Sequence, residues 1–69
     1  MIITIRVNGE IRSAPAGLSL EAMLHELGFQ PRLVVVEFNG VILPRPRWSE
    51  QPVVESDALE VVTIVGGGS

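Results

Sequence analysis

Residues 19–28, Ser-Leu-Glu-Ala-Met-Leu-His-Glu-Leu-Gly, decide the architecture. Leu20, Met23, Leu24 and Leu27 recur at i, i+3, i+4 and i+7, which puts four apolar side chains on one face of a helix. Ser19 is a good N-cap, and Glu21 lies in the first turn, where the helix dipole favours an anion. Gly28 stands where a residue in the left-handed conformation ends a helix, and Pro31 keeps it from restarting. The spacing predicts a helix from near Leu20 to Leu27. Apolar on one side only, it must be packed against another layer.

Moving outward from the helix, the flanking sequence reads as strands. Ile2 to Val7 alternates, with Ile3, Ile5 and Val7 on one face and Thr4 and Arg6 on the other. Asn8-Gly9 tolerates positive φ at both turn positions and signals a hairpin, so Glu10 to Ala14 is the returning strand. Pro15 and Gly17 end it. After the helix, Leu33 to Phe38 is rich in β-branched residues. Asn39-Gly40 is a second turn signal and Val41-Ile42-Leu43 a short strand closed by Pro44. Pro46 to Glu50 suits one tight helical turn with Pro at its first position, and Val53-Val54 is a short extended piece. Leu59 to Val65, the most apolar stretch, suits the centre of a sheet, beside the first hairpin. The expected fold is α+β: a mixed sheet of four to five strands with one helix packed on one face, the β-grasp arrangement. Its expected core is Ile3, Ile5, Val7, Leu20, Leu24, Leu27, Val36, Leu59 and Val61. The domain should span residues 1–65, followed by a flexible glycine tail over 66–69.

Composition narrows the function. A chain of 69 residues allows one domain with a thin core, too small for an enclosed catalytic cavity. With no Cys there is no disulfide scaffold and no thiolate chemistry, and one His makes no His-based metal site. Net charge is −3, with five Arg and no Lys, which argues against nucleic acid as partner. No apolar run is long enough to span a membrane, and nothing in Met1 to Arg6 resembles a secretory signal, so the expected location is the cytoplasm. These features point away from an enzyme, a metal site or a bound cofactor.

Gly66-Gly67-Gly68 has no helix after it and so is no phosphate-cradling loop. Three residues without Cβ instead make a thin thread, able to enter a narrow channel and present a carboxylate there. The same run also suits a frayed terminus or an expression linker. A further set of residues bears on this choice. Asn8-Gly9, then Asn39-Gly40-x-Ile42-Leu43-Pro44-Arg45-x-x-Trp48, then Asp57, then Val65-Gly66-Gly67-Gly68 resemble, in register along the whole chain, the bacterial sulfur carrier proteins of thiamin biosynthesis. Those are small ubiquitin-like proteins related to the small subunit of molybdopterin synthase.

The resemblance implies a carrier rather than an enzyme. An adenylyltransferase of the ubiquitin-activating kind (ThiF-like) would use ATP to adenylate the terminal glycine. A sulfur donor fed by a cysteine desulfurase would convert the product to a thiocarboxylate, and thiazole synthase (ThiG-like) would receive the sulfur. It implies Gly68 as the reacting residue, with Gly67 as the alternative, Gly66 and Gly67 as the thread, and a monomer when free. Ser69 departs from the family ending, so it must be absent before Gly68 can react. Absence of Lys and Cys is compatible with an acyl-adenylate that must not react with its own chain. Molybdopterin synthase's small subunit, another ubiquitin-like sulfur carrier, a protein modifier and a plain β-grasp interaction module remain alternatives.

Parity along the last strand places Leu59 and Val61 toward the helix and Glu60, Val62 and Ile64 on the face it cannot cover. Val35 joins them. Apolar residues on an open sheet face suggest a docking patch. Arg45 and Trp48 are added as candidate docking residues, the first because it falls on the family motif, the second because aromatic side chains anchor interfaces; covering the end of the sheet is the other role open to Trp48. His25 lies off the apolar stripe and reads as a solvated helix residue.

Overall fold

A computed structural model of the chain describes residues 1–64. The tail glycines Gly66, Gly67 and Gly68, Ser69, the expected division at residue 65 and the expected end of the last strand lie outside the described residues.

Strand β1 (Ile2–Val7) turns back through Asn8-Gly9 into β2 (Glu10–Pro15). Helix α1 (Leu20–Glu26) follows, then β3 (Val34–Phe38), the Asn39-Gly40 turn, β4 (Val41–Ile42) and, last, β5 (Ala58–Thr63). Two 3-10 turns, Pro31–Leu33 and Arg45–Glu50, fill the connections. Among these five strands the sheet order is β2-β1-β5-β3-β4. Strands β1 and β5 run parallel, and the other neighbours are antiparallel. The expected mixed sheet, with the last strand at its centre, is therefore what forms.

Local chemistry explains each boundary. Both hairpin turns hold their two central residues at positive φ, 52° and 84° at Asn8-Gly9 and 52° and 87° at Asn39-Gly40. That is the geometry whose twist matches paired strands, and Asn and Gly tolerate it best. Ser19 Oγ accepts from Ala22 N at 3.1 Å, closing the start of α1. At the other end Phe29 N donates to Leu24 O at 2.9 Å and Gly28 N to His25 O at 3.1 Å, with Gly28 at φ 92°. This pair of bonds is the Schellman stop. It makes Leu27 the C-cap, one residue earlier than the spacing predicts. Pro31 starts a 3-10 turn that takes up Leu33, so β3 begins at Val34.

The core lies between α1 and the sheet. Ile5, Val7, Leu20, Leu24, Val36, Leu59 and Val61 are buried as expected. Ile3 and Leu27 are only half-buried. Ile3 lies in the part of β1 that precedes its pairing with β5 at Arg6 and Val7, and Leu27 is the C-cap, where the helix ends. Met23, Ala14, Val34, Val53 and Trp48 complete the core. Val53 is drawn in because the segment before β5 is tied to the start of the helix. Leu20 N donates to Gln51 O at 2.7 Å and Val53 N to Leu18 O at 3.1 Å.

Candidate docking face

One helix covers one face of the sheet, and strand parity decides what the other face presents. Val35 of β3 lies directly opposite Val62 of β5, and Glu37 lies opposite both Glu60 and Ile42. Ile64 continues this register, its N–H donating to Leu33 O at 2.7 Å. Val62, Ile64 and Val35 are 62%, 51% and 39% exposed. The three form an apolar surface at the end of β5 where the chain runs on toward Val65. Beside it sit two carboxylates in cross-strand register, an arrangement that costs stability when nothing offsets it. Thr4 and Arg6 of β1 and Ile11 of β2 carry the same face toward the opposite edge.

Of the five expected docking residues, the structure brings together Val35, Val62 and Ile64 and separates the other two. Arg45 is exposed on the helix side of the domain, where it lines a solvent-open groove of about 510 Å³ with Glu21, His25, Arg32 and Ser49. Trp48 is corrected to a core residue: it is 2% exposed, and its indole Nε1 donates to Leu43 O at 2.8 Å. The 3-10 turn over Arg45–Glu50 rolls the indole inward against α1, and this bond secures the loop after β4. His25 is exposed, as the stripe predicts. Among the described residues no group of three potential metal ligands occurs, and no helix is long and apolar enough to cross a membrane.

Reading Asn8-Gly9 and Asn39-Gly40 only as turns misses what the two side chains do. Asn8 Oδ1 accepts from Val61 N at 2.7 Å and its Nδ2 donates to Val61 O at 3.2 Å. Asn39 Oδ1 accepts from Ala58 N at 2.8 Å and its Nδ2 donates to Asp57 Oδ1 at 3.1 Å. Asp57 Oδ2 in turn accepts from Val54 N at 2.8 Å. Both turns thus grip the central strand β5 that carries the apolar surface. A signal was present in the sequence: Asn stands at both turns where Asp would serve equally well for φ, and only the carboxamide donates as well as accepts.

Sheet order, single helix and open face define a ubiquitin-like β-grasp domain. A family model described as the ThiS family matches residues 5–68. The chain belongs to the ThiS family. Its fold superposes on the crystal structure of a thiamine biosynthesis protein (ThiS) from Geobacter metallireducens with a TM-score of 0.80, at 30% identity, over 96% of this chain and 100% of that one. A protein of Pyropia yezoensis, ycf40, is 39% identical over 66 residues, 96% of this chain and 93% of its own length. A protein named thiazole synthase from Paramagnetospirillum magneticum is 43% identical over 63 residues, 91% of this chain. The chain spans only 19% of that protein's length.

Proposed function

We propose that this chain is a cytoplasmic sulfur carrier of thiamin biosynthesis, a substrate of its partner enzymes rather than an enzyme itself. The observation that carries the reading is the extent of the family match, which runs from residue 5 through the glycines to residue 68. A carboxylate is a poor electrophile. In the proposed sequence the Gly68 carboxylate takes the adenylyl group of ATP with release of pyrophosphate. The terminal sulfur of a persulfide on a desulfurase-fed donor then displaces AMP to form an acyl disulfide, and a thiol reductant cleaves its S–S bond, leaving a thiocarboxylate for thiazole synthase. That a protein named thiazole synthase contains a segment 43% identical to this chain supports thiazole synthase as the acceptor. No cofactor is held by the carrier; ATP belongs to the activating adenylyltransferase.

Val35, Val62 and Ile64 are the docking surface in this reading, with Glu37 and Glu60 as an acidic rim for a basic partner surface. The decisive experiment compares chains ending at residues 67, 68 and 69, each incubated with ATP and a ThiF-like adenylyltransferase and followed by intact mass. The chain ending at Gly68 should take up AMP, then exchange one oxygen for sulfur when the persulfide donor and a thiol reductant are added. Equal activity of the 69-residue chain with Ser69 still attached would overturn the assignment of Gly68, and uptake only by the chain ending at residue 67 would move the reaction to Gly67.

A further inference from the structure

The hairpin turn takes β1 away from β5 after the pair Val7 and Leu59. Asn8 N still donates to Leu59 O at 2.8 Å. One step further along β5 no β1 backbone remains, and the Asn8 carboxamide takes its place, accepting from Val61 N and donating to Val61 O. A carboxamide offers one acceptor and a donor in one plane, as a peptide unit does, so the ladder gains one more rung. Asn39 grips the start of the same strand, but there only Ala58 N is bound and the amide nitrogen turns to Asp57.

Among the described residues, no bond follows on this flank of β5 beyond Val61. Val62 and Ile64 direct their main-chain groups toward β3, with Ile64 N on Leu33 O at 2.7 Å. The N–H and C=O of Thr63 therefore point to the side that β1 has left. Among the described residues, the grip of Asn8 on Val61 is the last tie on that flank, ahead of Val62, Thr63 and Ile64.

We infer that Asn8 is a positioning residue for the outgoing end of β5: its carboxamide aligns Val61, and through it the docking residues Val62 and Ile64 and the launch point of the tail. This rests on the carrier reading above. The same kind of bond at the opposite end of the same strand supplies an internal control. A purely structural asparagine should behave alike at both ends, and a positioning one should not.

The test uses the chain ending at Gly68 as wild type, Asn8→Ala, Asn8→Asp and Asn39→Ala, each shown to be folded by thermal melting. Amide hydrogen exchange at Val61 should speed up about tenfold in Asn8→Ala and stay unchanged in Asn39→Ala, with the reverse at Ala58. Adenylation by the partner should fall about tenfold in kcat/KM for Asn8→Ala, little for Asn39→Ala, and by an intermediate factor for Asn8→Asp, which keeps an acceptor for Val61 N–H. If Asn8→Ala does not fold, Asn8→Asp carries the comparison with Asn39→Ala. Equal losses at the two ends, or unchanged exchange at Val61, would overturn the inference. A wild-type chain that takes no AMP would instead overturn the carrier reading, while exchange at Val61 still decides whether Asn8 holds the strand end.

Discussion

Replacing Trp48 with Phe tests whether this side chain is core or interface. The indole is 2% exposed and its Nε1 lies 2.8 Å from Leu43 O. Phe fills most of the same space but leaves a void where the larger indole lay, at a cost of about 1 kcal/mol. It also leaves the Leu43 carbonyl without its donor in a half-buried position, a further cost of about 1–2 kcal/mol. The sum is about 2–3 kcal/mol. For a chain of 69 residues, total stability at about 0.05–0.15 kcal/mol per residue is only about 3–10 kcal/mol. With a urea slope of about 1 kcal/mol per molar for so small a domain, the midpoint should fall by about 2 M or more. Trp48 is the chain's one tryptophan, so the melt must be followed by far-UV circular dichroism rather than fluorescence. Binding to the adenylyltransferase, measured well below the midpoint, should be nearly unchanged. An unaltered midpoint together with lost binding would refute the core assignment and return Trp48 to the docking surface.

Other expectations follow from the same geometry. Leu24→Ala, at a fully buried position on the helix stripe, should lower stability by about 2–5 kcal/mol in a denaturant melt. Gly28→Ala should cost about 1–2 kcal/mol from backbone strain alone, since φ is 92° and nothing lies within 4 Å of the added methyl; an unchanged melting temperature would count against the Schellman stop. Ile64→Glu should leave the fold intact by circular dichroism and weaken binding to the adenylyltransferase or to thiazole synthase, whereas an unfolded variant would show that Ile64 is core.

Sequence periodicity reached the fold because every main element follows a local rule. The i, i+3, i+4, i+7 stripe, two Asn-Gly turns and the apolar last strand each point to one conformation, and their order admits few arrangements. Parity alone placed Val62 and Ile64 on the uncovered face, since a strand that buries Leu59 and Val61 has no other choice. Burial of Trp48 was harder to read. A 3-10 turn with one proline inside it and another just before it gives no periodic signal, and only tertiary packing decides whether its aromatic residue points in or out. Val53 was missed as core for the same reason, its burial being set by bonds between Val53 and Leu18 and between Leu20 and Gln51 across the fold. The Asn8 and Asn39 side-chain bonds join residues far apart in the chain, 53 positions for Asn8 and Val61, and no window of local sequence contains both ends.

That long separation bears on how the uncovered face of the sheet is made. The pairs β1·β2 and β3·β4 are hairpins and can close locally, but neither carries Val62 or Ile64. Those two residues acquire an outward face only when β5 enters between the hairpins, pairing with β1 at Arg6 and Val7 and with β3 along Val34 to Phe38. Closing the β1·β5 contact carries the largest loop entropy in the fold, so it must be repaid by burying Leu59 and Val61 against the helix at the same moment. The strand that bears Val62 and Ile64 is thus the strand whose placement completes the core. Val62 and Ile64 stand in register on the uncovered face only in the fully packed state, so under the proposed carrier function a partner docking there would engage folded chains and pass over partly folded ones.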